Sequence, residues 1–204
     1  MIGGKPPIIY FNKQNLHPII SSSQFIQTFK ADAMETFTSR LHLREFLPTD
    51  VTLFYSLESI PAVVRYQTWE PKTEIEAANY VFSVIGSQTE QPRTIFDLIV
   101  ERKDSKEFLG RVGMKVDHDS EHGDLWFSFL PSAQGKGYAV EAVEGLLGLI
   151  PTLHTLGIEC DPRNIGSRKL AERLNFEQVK LQENAFECKG EWVGSVEYIK
   201  TLRN

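Results

Sequence analysis

Short stretches in which apolar and polar residues alternate recur along the chain from residue 41 onward. In RLHLREF one residue separates Leu41 from Leu43, which is the period of a strand with one buried face. The run TIFDLIVER, the polar turn KDSKE and the run FLGRVGMKV together predict a β-hairpin. Further strands are predicted in DLWFSFL, TLGIEC, FEQVKLQ and SVEYIKTL.

Apolar residues at helical spacing, preceded by capping residues, predict four helices. The first starts at Thr49 or Asp50, and the second starts at a capping box formed by Thr73 and Glu76. The third follows a glycine turn, and the fourth follows Asn164, a residue type that caps helices well. The four segments are PTDVTLFYSLES, EIEAANYVFSVIG, YAVEAVEGLLGLI and IGSRKLAERL.

The order of these elements indicates the fold class. A strand, two helices, several antiparallel strands, a helix, a strand, a helix and two strands predict a mixed α/β fold, with helices on both faces of one mostly antiparallel sheet. We assign this single domain to residues 39–204. Residues 1–38 mix Gly, Pro, Asn and Ser with short apolar bursts that have no sustained period. We predict that they form a partly ordered N-terminal extension.

Composition and charge exclude several classes of partner. The formal charge is −5 and no run of Lys and Arg occurs, so neither nucleic acid nor an anionic membrane is expected as a partner. No apolar stretch approaches the length of a membrane span, and the first residues lack the order of a signal peptide. We expect a cytoplasmic protein in which Cys160 and Cys188 are free buried thiols.

The glycine turn between the predicted strand DLWFSFL and the third helix is a candidate anion site. N–H groups at the start of a helix have no internal partner, and glycines allow a phosphate to approach the backbone closely. The segment is not a Walker P-loop, because Gly137 follows Lys136 where Ser or Thr is required. It is not a G-x-G-x-x-G motif either, because residue 140 is Val140. From these residues alone, a phosphate cradle and a simple tight turn both remain open.

One motif matches a zinc-site pattern but lacks the helical context that such a site requires. His118 and His122 fit the zinc-peptidase pattern H-x-x-E-H. That chemistry requires both histidines on one face of a packed helix, whereas DHDSEHGD contains no apolar residue and lies between two predicted strands. We predict a solvated hairpin loop and no metal site.

Beyond the turn itself, LPSAQGKGYAVEAVEGLL resembles the acyl-CoA-binding motif of the GNAT acetyltransferase superfamily, Q/R-x-x-G-x-G/A. Gln134, Gly137 and Ala139 occupy its three defined positions. The segment CDPRNIGSRKLAERLNFEQV resembles the second signature of that superfamily, with matches at Asn164, Ser167 and Phe176.

Two further segments extend this resemblance. SRLHLREFLPTD looks like the opening strand and helix of the superfamily, and KGEWVGSVEYIKTL looks like its closing hairpin. The resemblance covers about residues 39 to 202. It is closest to the branch that contains the N-terminal acetyltransferases of ribosomal proteins.

The resemblance implies the GNAT fold, with two splayed strands that admit acetyl-CoA as cosubstrate. Backbone N–H groups of residues 135–139 would hold the pyrophosphate, and the pantetheine arm would pair with residues 128–132. Asn164 would bind the pantetheine or a water, and Ser167 would stabilise the departing thiolate; local helix capping is the alternative for both. The residues implied in binding are Leu130, Gln134, Gly135, Lys136, Gly137, Tyr138, Ala139, Asn164 and Ser167.

A general base is needed because an alkylamine is mostly protonated at neutral pH and attacks only as the free amine. Asp124 falls where many GNAT relatives carry a Glu, and we predict it to be the base, acting directly or through water. Alternation along the strand would place Asp124, Trp126 and Ser128 on one face. Trp126 and Ser128, with Trp69 from the predicted loop at about residues 62–73, are the candidate acceptor-binding residues.

Four positions depart from the pattern of the resembled family. The ribosomal-protein branch often has Glu where this chain has Phe186 and Asn184. The Tyr that serves many GNAT enzymes as general acid is replaced by Ala171, and the Gly that usually ends the helix is replaced by Asn175. Asn tolerates the left-handed conformation that such a position requires.

From these observations we predict an N-acetyltransferase that moves acetyl from acetyl-CoA to a primary amine by direct attack in a ternary complex. The acceptor is either a protein N-terminus or a small-molecule amine. The alternative is a non-catalytic acyl-CoA-binding or interaction module, since the Tyr and Glu of the resembled family are missing. A nucleotide-binding switch is a third hypothesis. We expect a monomer or a homodimer.

Overall fold

A computed structural model describes residues 33–150 and 153–202. Most of the predicted N-terminal extension, residues 1–32, lies outside this part of the chain. The elements are β1 Glu35–Phe37, β2 Leu41–Glu45, a 3₁₀ turn Pro48–Asp50, α1 Val51–Glu58, α2 Pro61–Val64, α3 Glu74–Ser87, β3 Ile95–Arg102, β4 Phe108–Asp117, β5 His122–Phe129, a 3₁₀ turn Pro131–Ala133, α4 Tyr138–Leu147, β6 Thr155–Cys160, α5 Ile165–Arg173, β7 Glu177–Cys188 and β8 Glu191–Thr201.

The strands form one sheet of eight strands in the order β1-β2-β3-β4-β5-β6-β8-β7. Every neighbouring pair is antiparallel except β5 and β6, which run parallel. The predicted mixed and mostly antiparallel sheet is therefore confirmed. All the predicted strands and helices are present, and β7 and β8 extend further than the sequence pattern predicted.

Helices cover both faces of the sheet, as predicted. On one face α4 and α5 pack on a large core that draws on β2, β3, β4, β5, β6 and β8. On the other face α1 and α3 pack on a smaller core around Phe46, Phe54 and Ile99. Alternation divides β3 between the two cores, so that Leu98 enters the first core and Ile99 the second.

Local capping explains where several helices begin and end. In the capping box of α3, the Thr73 N–H donates to Glu76 at 2.8 Å, and the Glu76 N–H donates to the Thr73 hydroxyl at 3.3 Å. Asn175, which follows α5, has a φ of 60°, the left-handed conformation that Asn tolerates. Asp50 occupies the N-cap position of α1, but its carboxylate accepts from the Leu47 N–H instead of capping that helix.

Two further expectations concern the cysteines and membranes. Cys160 and Cys188 are free, as predicted, but both are half-buried instead of buried. Among residues 33–150 and 153–202, no helix is long and apolar enough to cross a membrane.

A buried charged cluster joins the second helical layer to the sheet. The Arg111 guanidinium on β4 donates to Asp97 on β3 at 2.6 Å, to the Tyr80 hydroxyl on α3 at 2.6 Å and to Glu58 at the end of α1 at 3.3 Å. Both carboxylates have no exposed side-chain surface. Burial lowers the pKa of Arg111, but the facing Tyr80, Asp97 and Glu58 outweigh it and raise that pKa. We call these four residues the Arg111 cluster.

Replacing Arg111 with Met should destabilise the protein by about 3–5 kcal/mol, because Glu58 and Asp97 would be left buried without a cation. The measurement is chemical denaturation followed by circular dichroism. As a matched control, Arg102→Met removes the solvent-exposed ion pair with Asp104 and should leave the denaturation midpoint unchanged. Equal losses in the two variants would contradict this role of the Arg111 cluster.

Candidate active site

The parallel pairing of β5 with β6 stops after three residue pairs, the last of which is Asp124 with Gly157. Beyond that point β5 pairs with β4 as far as Phe129, and β6 pairs with β8 as far as Cys160. The two strands therefore diverge into a cleft with arms at residues 125–129 and 158–160. The inner edge of each arm offers backbone N–H and C=O groups to an extended ligand. We call the point of divergence the apex of the cleft.

The glycine turn follows β5, the first arm of the cleft. Gly135 has a φ of 73°, and Gly137, the N-cap of α4, has a φ of 78°. Both values lie in the left-handed region that favours glycine. Nothing lies within 4 Å of the position that a Cβ on Gly135 would take. Within residues 33–150 and 153–202, no atom accepts a hydrogen bond from the N–H groups of residues 135–137. The turn therefore fits a phosphate group at a helix N-terminus.

Gln134 holds the start of this turn. Its amide nitrogen donates to the backbone carbonyl of Phe129 at 3.0 Å, so the turn is tied back to the end of β5. Leu130 lies between them, and its N–H donates to the carbonyl of Leu109 at 2.9 Å. The side chain of Lys136 is exposed, whereas Ala139 packs against the larger core.

A clamp between the first strands and α4 holds the rest of the turn. The Glu141 carboxylate accepts from the Thr38 hydroxyl at 2.6 Å and from Arg40 Nε at 2.6 Å. Arg40 also donates to the carbonyl of Lys136 at 3.0 Å, and its guanidinium lies over the ring of Tyr138. Burial would raise the pKa of Glu141, but the hydrogen bonds from Thr38 and Arg40 outweigh it and lower that pKa. We call this arrangement the Arg40–Glu141 clamp.

Sequence reasoning missed both members of the clamp. Arg40 and Glu141 are 101 residues apart, and neither occupies a defined position of the acyl-CoA-binding motif or the second signature. An acidic residue in the first turn of a helix is a common stabilising choice, so Glu141 alone carried no signal.

Asn164 and Ser167 lie at the start of α5, after the second arm of the cleft. The side-chain oxygen of Asn164 accepts from the Ser167 N–H at 3.1 Å, so it caps the helix, as the alternative interpretation proposed. Among the described residues, the Asn164 amide nitrogen and the Ser167 hydroxyl make no hydrogen bond. Both donors are therefore available to a ligand.

Asp124, Trp126 and Ser128 share one face of β5. Asp124 lies at the apex of the cleft with 62% of its side chain exposed. The indole of Trp126 covers Gly113 on β4, where an added Cβ would come within 2.3 Å of the ring. Ser128 is buried opposite Arg111. Alternation placed these three residues together correctly.

Trp69 belongs to the connection between α2 and α3, and its indole nitrogen donates to Glu58 at 2.9 Å. The end of α2 contacts the turn between β7 and β8, where Lys189 donates to the carbonyl of Val64 at 2.9 Å. Trp69 is thus tied to the Arg111 cluster through Glu58. Trp126 lies in the same row of the sheet as Asp97, because Gly113 pairs with both residues.

The histidines of the H-x-x-E-H motif bind different partners. His118 contacts the carbonyl of Arg93 in the hairpin turn, whereas His122 begins β5 and contacts Thr155 and Asp124. The prediction of a solvated loop is thus right for His118 and wrong for His122, which is packed beside β6. In the part of the chain that the structure describes, no three His, Cys, Asp or Glu residues are grouped to hold a metal ion.

The positions that depart from the resembled family carry no carboxylate or phenol. Phe186 pairs with Val193, and Asn184 lies in the irregular part of β7 that precedes it. Ala171 is fully buried in α5. Among the residues that sequence reasoning considered for proton transfer, Asp124 is the one that the fold places at the apex of the cleft.

Comparison with known proteins agrees with this geometry. The uncharacterized N-acetyltransferase p20 of Bacillus licheniformis is 28% identical over 163 residues, which are 77% of this chain and 90% of that protein. A ribosomal L7/L12 alpha-N-protein acetyltransferase in complex with coenzyme A matches with a TM-score of 0.74 and 16% identity, over 84% of this chain and 98% of that chain.

The spermidine N-acetyltransferase of Vibrio cholerae, in complex with CoA and spermine, matches with a TM-score of 0.69 and 18% identity, over 80% of this chain and 96% of that chain. At such identities these solved structures show a common fold. The family model described as an acetyltransferase (GNAT) domain matches residues 40–177. Because that match spans more than half of the chain and includes both the cleft and the glycine turn, the chain belongs to the GNAT acetyltransferase family.

Proposed function

We propose that this enzyme, an acetyl-CoA-dependent N-acetyltransferase, acetylates a primary amine by direct attack in a ternary complex. The observation that carries the proposal is the continuity of the cleft with the glycine turn. One extended thioester would lie along the free edge of β5 with its pyrophosphate on the turn. The carbonyl carbon would then reach the apex, where Asp124 is exposed to the incoming amine.

The chain's own groups account for cosubstrate binding. Backbone N–H groups of residues 135–139 would hold the pyrophosphate, and residues 128–132, which include Leu130, would pair with the pantetheine. Asn164 and Ser167 would contact it from the opposite arm through their available donors. The Arg40–Glu141 clamp and the Gln134 amide hold the backbone of the turn in one conformation before acetyl-CoA binds. Because the turn is already ordered, binding costs less conformational entropy.

Asp124 is the proposed general base. Its carboxylate takes a proton from the acceptor ammonium, directly or through water, and the free amine attacks the thioester carbon. The N–C bond forms, the C–S bond breaks, and the hydroxyl of Ser167 stabilises the thiolate as it departs.

The state of the cysteines supports direct attack without an acyl-enzyme. Cys160, at the end of the second arm, is the thiol nearer in sequence to the Asn164 signature. Burial raises the pKa of Cys160 to about 11, so the thiol stays protonated at neutral pH and is a poor nucleophile. Cys188 ends β7, where its thiol contacts the carbonyl of Gln67.

For the acceptor we propose the α-amine of a protein N-terminus, with a small-molecule amine as the second candidate. The exposure of Asp124 favours the first, because α1 and α3 cover β3 and β4 on this face and leave the apex open to an extended chain. The ribosomal and spermidine acetyltransferases named above represent the two acceptor classes. Trp69, Trp126 and Ser128 would line the path of the acceptor.

The proposal includes a cellular location, an oligomeric state and the absence of some partners. We place the enzyme in the cytoplasm, as a monomer or homodimer that needs no metal and binds neither nucleic acid nor membranes. Of the predicted extension, Glu35–Phe37 and Thr38 belong to the catalytic domain, because they pair with β2 and contact Glu141. The residues before them would form the extension.

The Gly137→Glu variant should lose at least about tenfold in affinity for acetyl-CoA. A side chain is strained at a φ of 78°, and the added carboxylate would repel the pyrophosphate. Calorimetric titration with acetyl-CoA measures the change. The Gly190→Glu variant is the matched control, since Gly190 has the same φ of 78° in the turn between β7 and β8. Unchanged affinity in Gly137→Glu would mean that the turn does not hold the pyrophosphate.

The Arg40–Glu141 clamp should affect CoA affinity without touching the ligand. Arg40→Leu releases the Lys136 carbonyl and leaves the Glu141 charge uncompensated beside the phosphate site, so affinity should fall by about tenfold. Glu141→Gln removes that charge, and the double variant should recover part of the loss. Calorimetry on the four proteins completes the cycle. Additive effects would show that the two residues act independently.

The Asp124→Asn variant should lose about 10²-fold or more in kcat while its affinity for acetyl-CoA is unchanged. Release of the CoA thiol is measured with peptides that have a free α-amine and with spermidine. Asp119→Asn, an exposed carboxylate in the same hairpin, should keep the full rate. A chain that binds acetyl-CoA but acetylates none of these amines would favour the non-catalytic module. Full activity in Asp124→Asn would assign the base to another group.

A further inference from the structure

A histidine that the acetyl-CoA motifs do not include lies beside the proposed base. His122 Nε2 is 3.2 Å from Asp124 Oδ1, and His122 Nδ1 is 2.8 Å from the hydroxyl of Thr155 on β6. Both ring nitrogens are therefore engaged, one by the carboxylate at the apex and one by a hydroxyl that either donates or accepts. This arrangement permits either tautomer of the ring and its protonated form.

The backbone leaves space for this pair. A Cβ on Gly157, the β6 residue opposite Asp124, would lie 2.9 Å from His122 Nε2 and 3.0 Å from Asp124 Oδ1. The imidazole and carboxylate thus meet directly above a glycine at the last paired position before the cleft. A larger residue at that position would require the ring or the carboxylate to shift.

The groups around the ring are mixed in charge. Asp117 and Lys115 on β4 lie directly across from His122 and Asp124, and Thr201 on β8 lies across from Thr155. Next to the ring in sequence, the Glu121 carboxylate contacts His154 Nδ1. The carboxylate within hydrogen-bonding distance of His122 Nε2 is that of Asp124, whereas the Asp117 carboxylate accepts a hydrogen bond from the Ser120 hydroxyl.

We propose that His122 is a positioning residue that orients Asp124 and accepts the proton Asp124 removes from the acceptor. The proposal rests on the function proposed above. An imidazole nitrogen can accept a proton and later donate it, so the ring suits a proton that must pass from Asp124 to solvent. Thr155 stabilises whichever tautomer the step requires, because its hydroxyl both donates and accepts.

The proton balance of the step is complete. The ring starts as the Nδ1–H tautomer, in which Nδ1–H donates to the Thr155 hydroxyl and Nε2 is unprotonated. The ammonium of the acceptor gives one proton to Asp124, and the resulting carboxylic O–H passes it to Nε2. The free amine then forms the N–C bond as the C–S bond breaks. The tetrahedral intermediate loses its second nitrogen proton to the departing thiolate, and the imidazolium returns its proton to solvent. The net products are the amide, the CoA thiol and one proton.

The test is the pH dependence of kcat/KM in His122→Gln, measured by CoA thiol release from acetyl-CoA with the α-amine peptides and spermidine. At about pH 7 the rate should fall by roughly tenfold or more. The deficit should shrink toward about pH 9.5, because more of the acceptor is then already unprotonated. A merely structural defect would lower the rate by the same factor at every pH.

Further variants separate the proposed role of His122 from a general effect on the hairpin. His118→Gln, in the same hairpin but in contact with the Arg93 carbonyl, should follow the unsubstituted profile. Thr155→Val should reproduce part of the defect and Thr155→Ser should restore the rate. Added imidazole should accelerate His122→Ala but not Asp124→Asn. Calorimetry should give the same affinity for acetyl-CoA in His122→Gln and the unsubstituted enzyme, which verifies its fold.

The results distinguish failure of the His122 proposal from failure of the proposed function. A pH-independent deficit, or an unaltered profile in His122→Gln, would overturn the role of His122 alone, because the unsubstituted enzyme would still acetylate the amine through Asp124. Absence of transfer by the unsubstituted enzyme, with acetyl-CoA binding intact, would overturn both proposals together.

Discussion

The interruption of the β5–β6 pairing after Asp124 and Gly157 is the constraint on which the active site depends. Two antiparallel ladders hold the cleft open, because β5 stays paired with β4 and β6 stays paired with β8. Each arm then leads to the start of a helix, α4 after β5 and α5 after β6. A single departure from regular pairing thus creates an unpaired backbone edge, an anion site and a pair of side-chain donors in one cleft.

The face of the sheet that bears Asp124 is organised by buried charge. The Arg111 cluster joins α1 and α3 to β3 and β4. Its Glu58 carboxylate also accepts from Trp69, one of the two tryptophans that would line the acceptor path. Such a cluster contributes little net stability, since desolvation offsets much of its attraction. Its geometry is specific, however, and loss of one partner leaves a buried charge. We infer that it keeps the acceptor side of the cleft in one arrangement.

Local chemistry made much of the structure predictable. The capping box of Thr73 and Glu76, the Asn164 cap and the left-handed Asn175 each depend on neighbours within a few residues. The glycine turn was recognisable for the same reason, because a strand, two glycines and a helix follow each other directly. By contrast, the His122 ring was interpreted as part of a solvated loop, since its partner Thr155 lies 33 residues further along the chain.

By itself, the sequence determined the order of the strands and helices except β1 and α2, the two helical faces of the sheet and the acetyl-CoA motif, because hydrophobic period and turn chemistry act over a few residues. Only the tertiary structure decided which side chains meet at the cleft. The Arg40–Glu141 clamp, the Arg111 cluster and the His122–Asp124–Thr155 contact each join residues from different strands or helices. Side chains that meet through strand pairing and helix packing leave no periodic trace in the sequence, so their partners emerge only when the sheet is assembled.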